Sequence, residues 1–281
     1  MYGNGVKSIA IGTFDGMHRA HMELISMVDE VVVIEHGRGS LTPGFRRSDF
    51  SPKPCAYRVL ERIKEMSPTA FIASLMEDYP KLEKIVVGYD FRFGKDREGT
   101  PETISALFGG EVVVVDEISV NGVAVHSGTI RRLLSAGDIE SANSLLGRRY
   151  RIVADVVEGQ GLGRKELVPT INLDVKEYML PAEGVYATMS LVDGEWYRSV
   201  SFFGHRRSTD GSYAVETHLI DIDMARRPRE VSVEFISRIR ENRRFDKLSD
   251  LRMRIYEDIE KALSILSDSG CDEEKSKEGR C

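Results

Sequence analysis

Two histidines three residues apart, His18 and His21, close a stretch that begins as an apolar run at Ser8, Ile9, Ala10 and Ile11 and passes through Gly12 and Gly16. Helical spacing of apolar residues starts just beyond it, at Met22, Leu24, Ile25 and Val28. The pattern predicts a buried strand, a glycine-punctuated loop and a helix. Such a loop brings backbone N–H groups and the positive end of a helix dipole up to a phosphate. His18 and His21 share one face of the first turn, and an imidazole that titrates near neutrality can donate to a phosphate oxygen as charge builds during transfer. This is a reading for nucleotide chemistry. The competing one, an ordinary strand-to-helix turn with two incidental histidines, stays open on spacing alone.

Two further groups point the same way. Lys84 to Gly88 is a short β-branched run that leads into Tyr89-Asp90-Phe91-Arg92-Phe93-Gly94-Lys95, so a strand's C-terminal end delivers an acid, an arginine and aromatics together. Open α/β sheets place their ligands there. His126-Ser127-Gly128-Thr129-Ile130-Arg131 opens a helix with hydroxyls at its start and Arg131 one turn in, a second cradle for phosphate or else a simple capped helix.

The elements that must position these residues follow from pattern. Val31 to Ile34 and Glu111 to Val115 join the two runs above as continuous apolar strands of the kind buried in a parallel sheet. Helices are expected at 21–29, 57–66, from Pro68 with Ser67 as its cap, and at 102–108, and residues 142–146 close this half of the chain. Together they make a doubly wound sheet, with a long Gly, Ser, Pro and Arg-rich loop at 36–54. From Tyr150 the pattern changes to short alternating strands at 150–157, 184–191, 196–203, 214–219 and 230–236, as in a small antiparallel barrel or sandwich. A long amphipathic helix at 248–266 packs on it, and residues 267–281 read as a disordered polar tail.

Composition narrows the class. The 281 residues are 41% hydrophobic and 30% charged, enough apolar material for two cores, and the net charge of -6 offers no electrostatic reason to bind nucleic acid. Cys55, Cys271 and Cys281 are odd in number and widely spaced, so neither a disulfide scaffold nor a metal cluster is expected. No basic-then-apolar leader pattern and no membrane-length apolar run is present, which predicts a soluble, cytoplasmic chain without a membrane partner.

Over residues 6–266 the chain resembles the bacterial bifunctional riboflavin kinase/FMN adenylyltransferase family, the FAD synthetases. Its Gly-x-Phe-Asp-Gly-x-His-x-Gly-His signature is similar to residues 12–21, with Ala20 in place of a glycine. Residues 88–95 resemble the family's second motif. Its Ser-Ser-Thr-x-Ile-Arg is kept at Ser127, Ile130 and Arg131 but not at His126 and Gly128. Residues 163–172 resemble its Gly-Arg-x-x-Gly-Phe-Pro-Thr-Ala-Asn, and Glu216-Thr217-His218 its Glu-Thr-His.

The resemblance implies a Rossmann-like HxGH nucleotidyltransferase domain at 1–146, and at 147–266 a six-stranded antiparallel riboflavin kinase barrel with a C-terminal helix. It implies catalysis by His18, His21 and Glu216. ATP for adenylyl transfer would meet Gly12, Phe14, Asp15, Asp90, Arg92, Ser127 and Arg131. ATP for the kinase would meet Gly159, Gly161, Gly163, Thr170 and Asn172, with Mg²⁺ at Thr170 and Asn172. ATP, riboflavin, FMN and FAD are the implied substrates and products, and a monomer or weak homo-oligomer the implied assembly. A carboxylate at an inward strand position, as expected for Glu216, is expensive to bury, so chemistry and an ion pair compete to explain it. Two regions depart from the family. Residues 201–208 replace Asn-Val-Gly-x-Arg-Pro-Thr, and the 37–54 loop lacks Pro-His-Pro. A nucleotidyltransferase for another substrate, or a flavin-binding regulatory protein, is the alternative reading.

Overall fold

A computed structural model describes residues 5–37, 40–158, 167–208, 210–222 and 227–269. The chain forms two compact units, one ending at Thr129 and the other beginning at Ile130.

In the first unit, β1 (Ser8–Gly12), β2 (Glu30–Glu35), β3 (Cys55–Val59), β4 (Lys84–Gly88) and β5 (Glu111–Val115) form a parallel sheet in the order β3-β2-β1-β4-β5. Successive side chains of β1 go to opposite faces. Ile9 and Ile11 join one core with Phe71, Ile72, Leu75 and Ile104 from α3 (Pro68–Asp78) and α4 (Pro101–Leu107), whereas Ala10 joins another with Leu24 and Ile25 of α1 (Arg19–Ser26). The chain runs outward one way from β1 through β2 to β3 and the other way through β4 to β5. The crevice of such a sheet lies at that switch point, outside the carboxyl ends of β1 and β4. Ser67 caps α3 by accepting from the Ala70 N–H at 3.2 Å, with Pro68 at the first helical position.

Two expectations here are corrected. The helix expected at 57–66 begins as strand: Tyr57–Val59 belong to β3, where Tyr57 pairs with Val33, and the helical part is Leu60–Ile63 (α2). The β-branched and aromatic content of Ala56-Tyr57-Arg58-Val59 wins because β2 offers an open edge. A short hairpin, β6 (Ser119–Val120) and β7 (Val123–Ala124), turning on Asn121 and Gly122, went unforeseen.

The second unit begins within α5 (Ser127–Ala136), continues through α6 (Ile139–Leu146), and holds a closed barrel. Its strands are β8 (Tyr150–Val157), β9 (Ile171–Asp174), β10 (Gly184–Val192), β11 (Glu195–His205), β12 (Tyr213–Leu219) and β13 (Glu230–Glu241), in the order β10-β11-β12-β9-β8-β13. Val185, Ala187 and Met189 of β10 pack with Ala262 and Leu266 of α7 (Leu248–Asp268). The alternate residues, Tyr186, Thr188 and Ser190, are fully buried on the other face. Tyr186 meets Phe203 and Phe235 edge-on, and Thr188 and Ser190 join Ser199, Ser201 and Thr217 in a buried chain of hydroxyls. Of the tail expected at 267–281, Ser267 and Asp268 instead close α7 and Ser269 caps it; residues 270–281 lie outside the described residues.

Candidate functional site

The first site lies in the crevice of the parallel sheet. After β1 the chain turns through Phe14 (φ 48°), Gly16 (φ 90°) and Met17 (φ 43°). Left-handed backbone at a phenylalanine and a methionine is costly and persists only where packing enforces it. Both side chains are buried in the core beneath α1. The turn delivers His18 as the N-cap of α1, where its Nδ1 accepts from the His21 N–H at 3.4 Å. The two imidazoles stack at 3.5 Å between centroids and 16° between planes, and Phe14 meets His21 edge-on at 5.1 Å.

Both histidines line a cleft of about 820 Å³ with Gly12, Phe14, Ala20, Gly88, Asp90, Arg92 and Ser127. Burial is the first cause that lowers the His21 pKa well below its ordinary value, and the charges of His18, Arg47 and His126 act in the same sense. His21 is therefore neutral at neutral pH. Its Nδ1 is buried without a hydrogen-bond partner among the described residues.

Of the residues expected here, Asp15 has another position. It is 2% exposed and does not line the cleft; its Oδ1 accepts from the Thr42 N–H at 3.2 Å, and its carbonyl accepts from the Ser127 hydroxyl at 2.6 Å. It fastens the histidine turn to the 40–42 segment and to the start of α5. Arg131 belongs to the second unit, half-buried on α5. Asp90 and Arg92 are exposed at the cleft wall, while Phe93, just beyond them, is buried against Phe71 and Phe91.

A cluster not foreseen from sequence also lines this cleft. The Tyr89 hydroxyl donates to Glu117 Oε1 at 2.8 Å, and His126 Nε2 lies 3.0 Å from the same oxygen. Those two bonds, His126 first, hold Glu117 below the ordinary carboxylate range. The signal for it was His126 itself, the residue that breaks the serine motif.

The second site lies on the barrel. Glu216 of β12 and Asn172 of β9 are register partners. The inward expectation for Glu216 is wrong: Thr217 is the fully buried residue, bonded to Ser201 at 2.6 Å, and the strand's two-residue period turns Glu216 and His218 the other way. Glu216 is 23% exposed and pairs with Arg206, whose Nε donates to Oε1 at 2.9 Å. Arg206 Nη2 also donates to Asn172 Oδ1 at 2.9 Å. His218 Nδ1 lies 2.7 Å from the Pro169 carbonyl and ties β12 to the segment that carries Thr170. The Thr170 hydroxyl has no hydrogen-bond partner among the described residues. Gly159, Gly161 and Gly163 lie outside the described residues.

Arg206 is the functional neighbour that sequence reasoning missed. It sits in the departing 201–208 segment, yet Gly204-His205-Arg206 keeps a Gly-x-Arg spacing. No cluster of three or more His, Cys, Asp or Glu side chains able to hold a metal ion occurs among the described residues.

Two protein families match segments of the chain, FAD synthetase over residues 55–129 and riboflavin kinase over residues 146–266. Curated relatives match along most of its length. A bifunctional riboflavin kinase/FMN adenylyltransferase of Pseudomonas fluorescens is 29% identical and covers 92% of this chain and 93% of its own. One of Haemophilus influenzae is 31% identical over 72% of this chain and 68% of its own, and one of Bacillus subtilis is 26% identical over 92% of each. A crystal structure titled as a macrolide-efflux protein from Streptococcus pneumoniae superposes with a TM-score of 0.80 at 23% identity, covering 92% of this chain and 94% of that one, a likeness of fold.

Proposed function

We propose that this chain, which belongs to the bifunctional riboflavin kinase/FMN adenylyltransferase family, converts riboflavin to FAD in two ATP-dependent steps at two sites. The observation that carries the reading is their presence in one chain: stacked histidines in the crevice of a parallel sheet, and a partly buried glutamate beside an asparagine on a closed six-stranded barrel. Residues 1–146 are assigned to adenylyl transfer and 147–266 to the kinase, a division supported by a riboflavin kinase match that starts at residue 146.

In the kinase step Glu216 takes the proton of the riboflavin 5′-hydroxyl. The hydroxyl oxygen bonds to the γ-phosphorus of ATP, the bond from that phosphorus to the bridging oxygen breaks, and ADP leaves. Such chemistry is largely positioning and charge neutralisation. The donor set suits Mg²⁺ at Thr170, whose hydroxyl is a free hard oxygen, whereas Asn172 Oδ1 already accepts from Arg206. Thr170 would hold the ion, and Asn172 Oδ1, whose second lone pair is not used by Arg206, would join it. When bound, Mg²⁺ neutralises phosphate charge.

In the second step a phosphate oxygen of FMN attacks the α-phosphorus of a second ATP, and the bond to the bridging oxygen breaks to release pyrophosphate. The nucleophile is already anionic, so no strong base is required. His18 and the neutral His21 donate hydrogen bonds to the oxygens on which charge develops. Gly12 and Phe14 shape the loop beside them, and Asp90, Arg92, Ser127 and Arg131 are read as nucleotide contacts. The kinase contacts with ATP are read at Gly159, Gly161 and Gly163.

We further read the protein as cytoplasmic, acting on small molecules rather than nucleic acid, and as a monomer or weak homo-oligomer. No helix among the described residues is long and apolar enough to cross a membrane. The test is chromatography of flavins after incubation with riboflavin, ATP and Mg²⁺, where FMN should appear first and FAD after it. His21→Ala should abolish FAD while sparing FMN, and Glu216→Ala should do the reverse when FMN is supplied. Flavin binding without turnover in the unaltered protein would instead favour a regulatory flavin-binding role.

A further inference from the structure

We infer that Arg206 is a positioning residue of the kinase site, which saturates one oxygen of Glu216 and leaves the other, Oε2, as the one offered to the flavin hydroxyl. The inference rests on the kinase reading above. Its geometry is unusual for an ion pair at a protein surface. Nε and Nη2 both donate to Oε1, and among the described residues Oε2 takes no hydrogen bond. Nη2 also donates to Asn172 Oδ1 at 2.9 Å, and Nη1 to the Ser212 hydroxyl oxygen at 2.9 Å.

All three guanidinium nitrogens are thus committed, and the anchor is itself fixed. Ser212 donates its hydroxyl to Asp210 at 2.9 Å, and the turn closes through the Arg206 N–H to the Ser212 carbonyl at 2.8 Å and the Gly211 N–H to the Arg206 carbonyl at 3.1 Å. The side chains of Arg206 and Glu216 are 18% and 23% exposed. An exposed pair would swing freely and contribute little. Here the planar fork is held in one orientation before substrate arrives: it cannot turn without breaking bonds at both Glu216 and Asn172, and the carboxylate cannot turn without losing both of its bonds to the fork. Lysine could supply the charge but not the fork. A general base offered at a fixed angle lowers the barrier by orientation, an effect that appears in turnover rather than in substrate affinity.

The test measures riboflavin phosphorylation by Arg206→Ala, Arg206→Lys and Ser212→Ala, with riboflavin binding followed separately by flavin fluorescence. FAD formation from supplied FMN serves as the control for intact protein. Arg206→Ala should lower kcat by roughly 10- to 100-fold while riboflavin affinity changes by less than about threefold. Millimolar guanidinium chloride should restore part of the loss, and the same concentration of sodium chloride should not. Arg206→Lys should remain slow, and Ser212→Ala should fall in the same direction by a smaller factor; these two carry the test if Arg206→Ala does not fold. Unchanged kcat, a loss confined to riboflavin affinity, or equal rescue by sodium chloride would overturn the inference. An unaltered chain that makes no FMN would overturn the kinase reading and this inference with it, so the two failures are distinguishable.

Discussion

Asp258 should be the most consequential ion-pair residue of the barrel unit, although it touches neither site. Its carboxylate, on α7, is 3% exposed and accepts from Arg240 Nε at 2.9 and 3.0 Å, and it forms ion pairs with Arg240 Nη2 at 2.8 Å and Arg254 Nε at 3.2 Å. Arg240 is itself 14% exposed on β13, the strand that pairs with both β8 and β10. Asp258→Ala leaves that guanidinium buried without its anion, a change worth about 3–5 kcal/mol where one partner of a buried pair is removed. Arg240→Met should cost less, roughly 1–3 kcal/mol, because Asp258 keeps Arg254 beside it. The double replacement Asp258→Leu with Arg240→Met should recover much of the loss, since no unpaired charge is then buried. Trp196, the only tryptophan, lies on β11 and reports on the barrel in urea titrations. With a slope of about 2 kcal/mol/M, Asp258→Ala should lower the midpoint by about 2 M. A shift below about 0.5 M, or an equal shift for Arg240→Met, would refute the reasoning.

Three further outcomes follow from particular contacts. The folded pKa of His21 lies below its ordinary 6.5, so below pH 6.5 the unfolded chain takes a proton that the folded one refuses, and stability falls as pH drops through that window; His21→Gln should flatten this slope in thermal melts followed by circular dichroism. Gly204 has φ +144°, and a Cβ there would lie 3.0 Å from both Asn242 Nδ2 and Glu183 Oε2. Gly204→Ala should therefore cost more than about 1 kcal/mol by Trp196 fluorescence and slow FMN formation by disturbing the turn that carries Arg206. Ser67→Ala removes the cap of α3 and should destabilise the first unit by about 1 kcal/mol, measured by pulse proteolysis.

The parallel sheet was legible because β2 and β4 are continuous β-branched runs, buried on both faces, and β5 carries the same kind of run although it lies at the sheet edge with Val114 exposed. β3 was not: Cys55 to Val59 has no apolar run, and its strand state comes from pairing with β2, a tertiary effect that local pattern does not contain. β9 was missed as a strand for the same reason, being four residues long and paired with β12 through only Asn172 and Ile171. In the crevice, residue spacing sufficed to bring His18 and His21 together, but not to separate Asp15 from its neighbours. That separation depends on the turn at Phe14 and Gly16, which sends the carboxylate toward Thr42 instead of the cleft.

The barrel site shows most plainly what pattern alone leaves open. Alternation on β12 says that Glu216 and Thr217 face opposite ways, but not which of them faces in. The interior decides it: Ser199 and Ser201 on β11 and Thr188 and Ser190 on β10 offer hydroxyl partners to a threonine, and none of them could neutralise a carboxylate. Thr217 therefore turns inward, and Glu216 turns to Arg206 of the neighbouring hairpin. Ser201 and Arg206 both belong to the segment that departs most from the family motif. The first accounts for the inward partner of Thr217, and the second, which keeps the motif's Gly-x-Arg spacing, for the outward partner of Glu216, so the strand keeps its glutamate oriented and paired although residues around Arg206 differ.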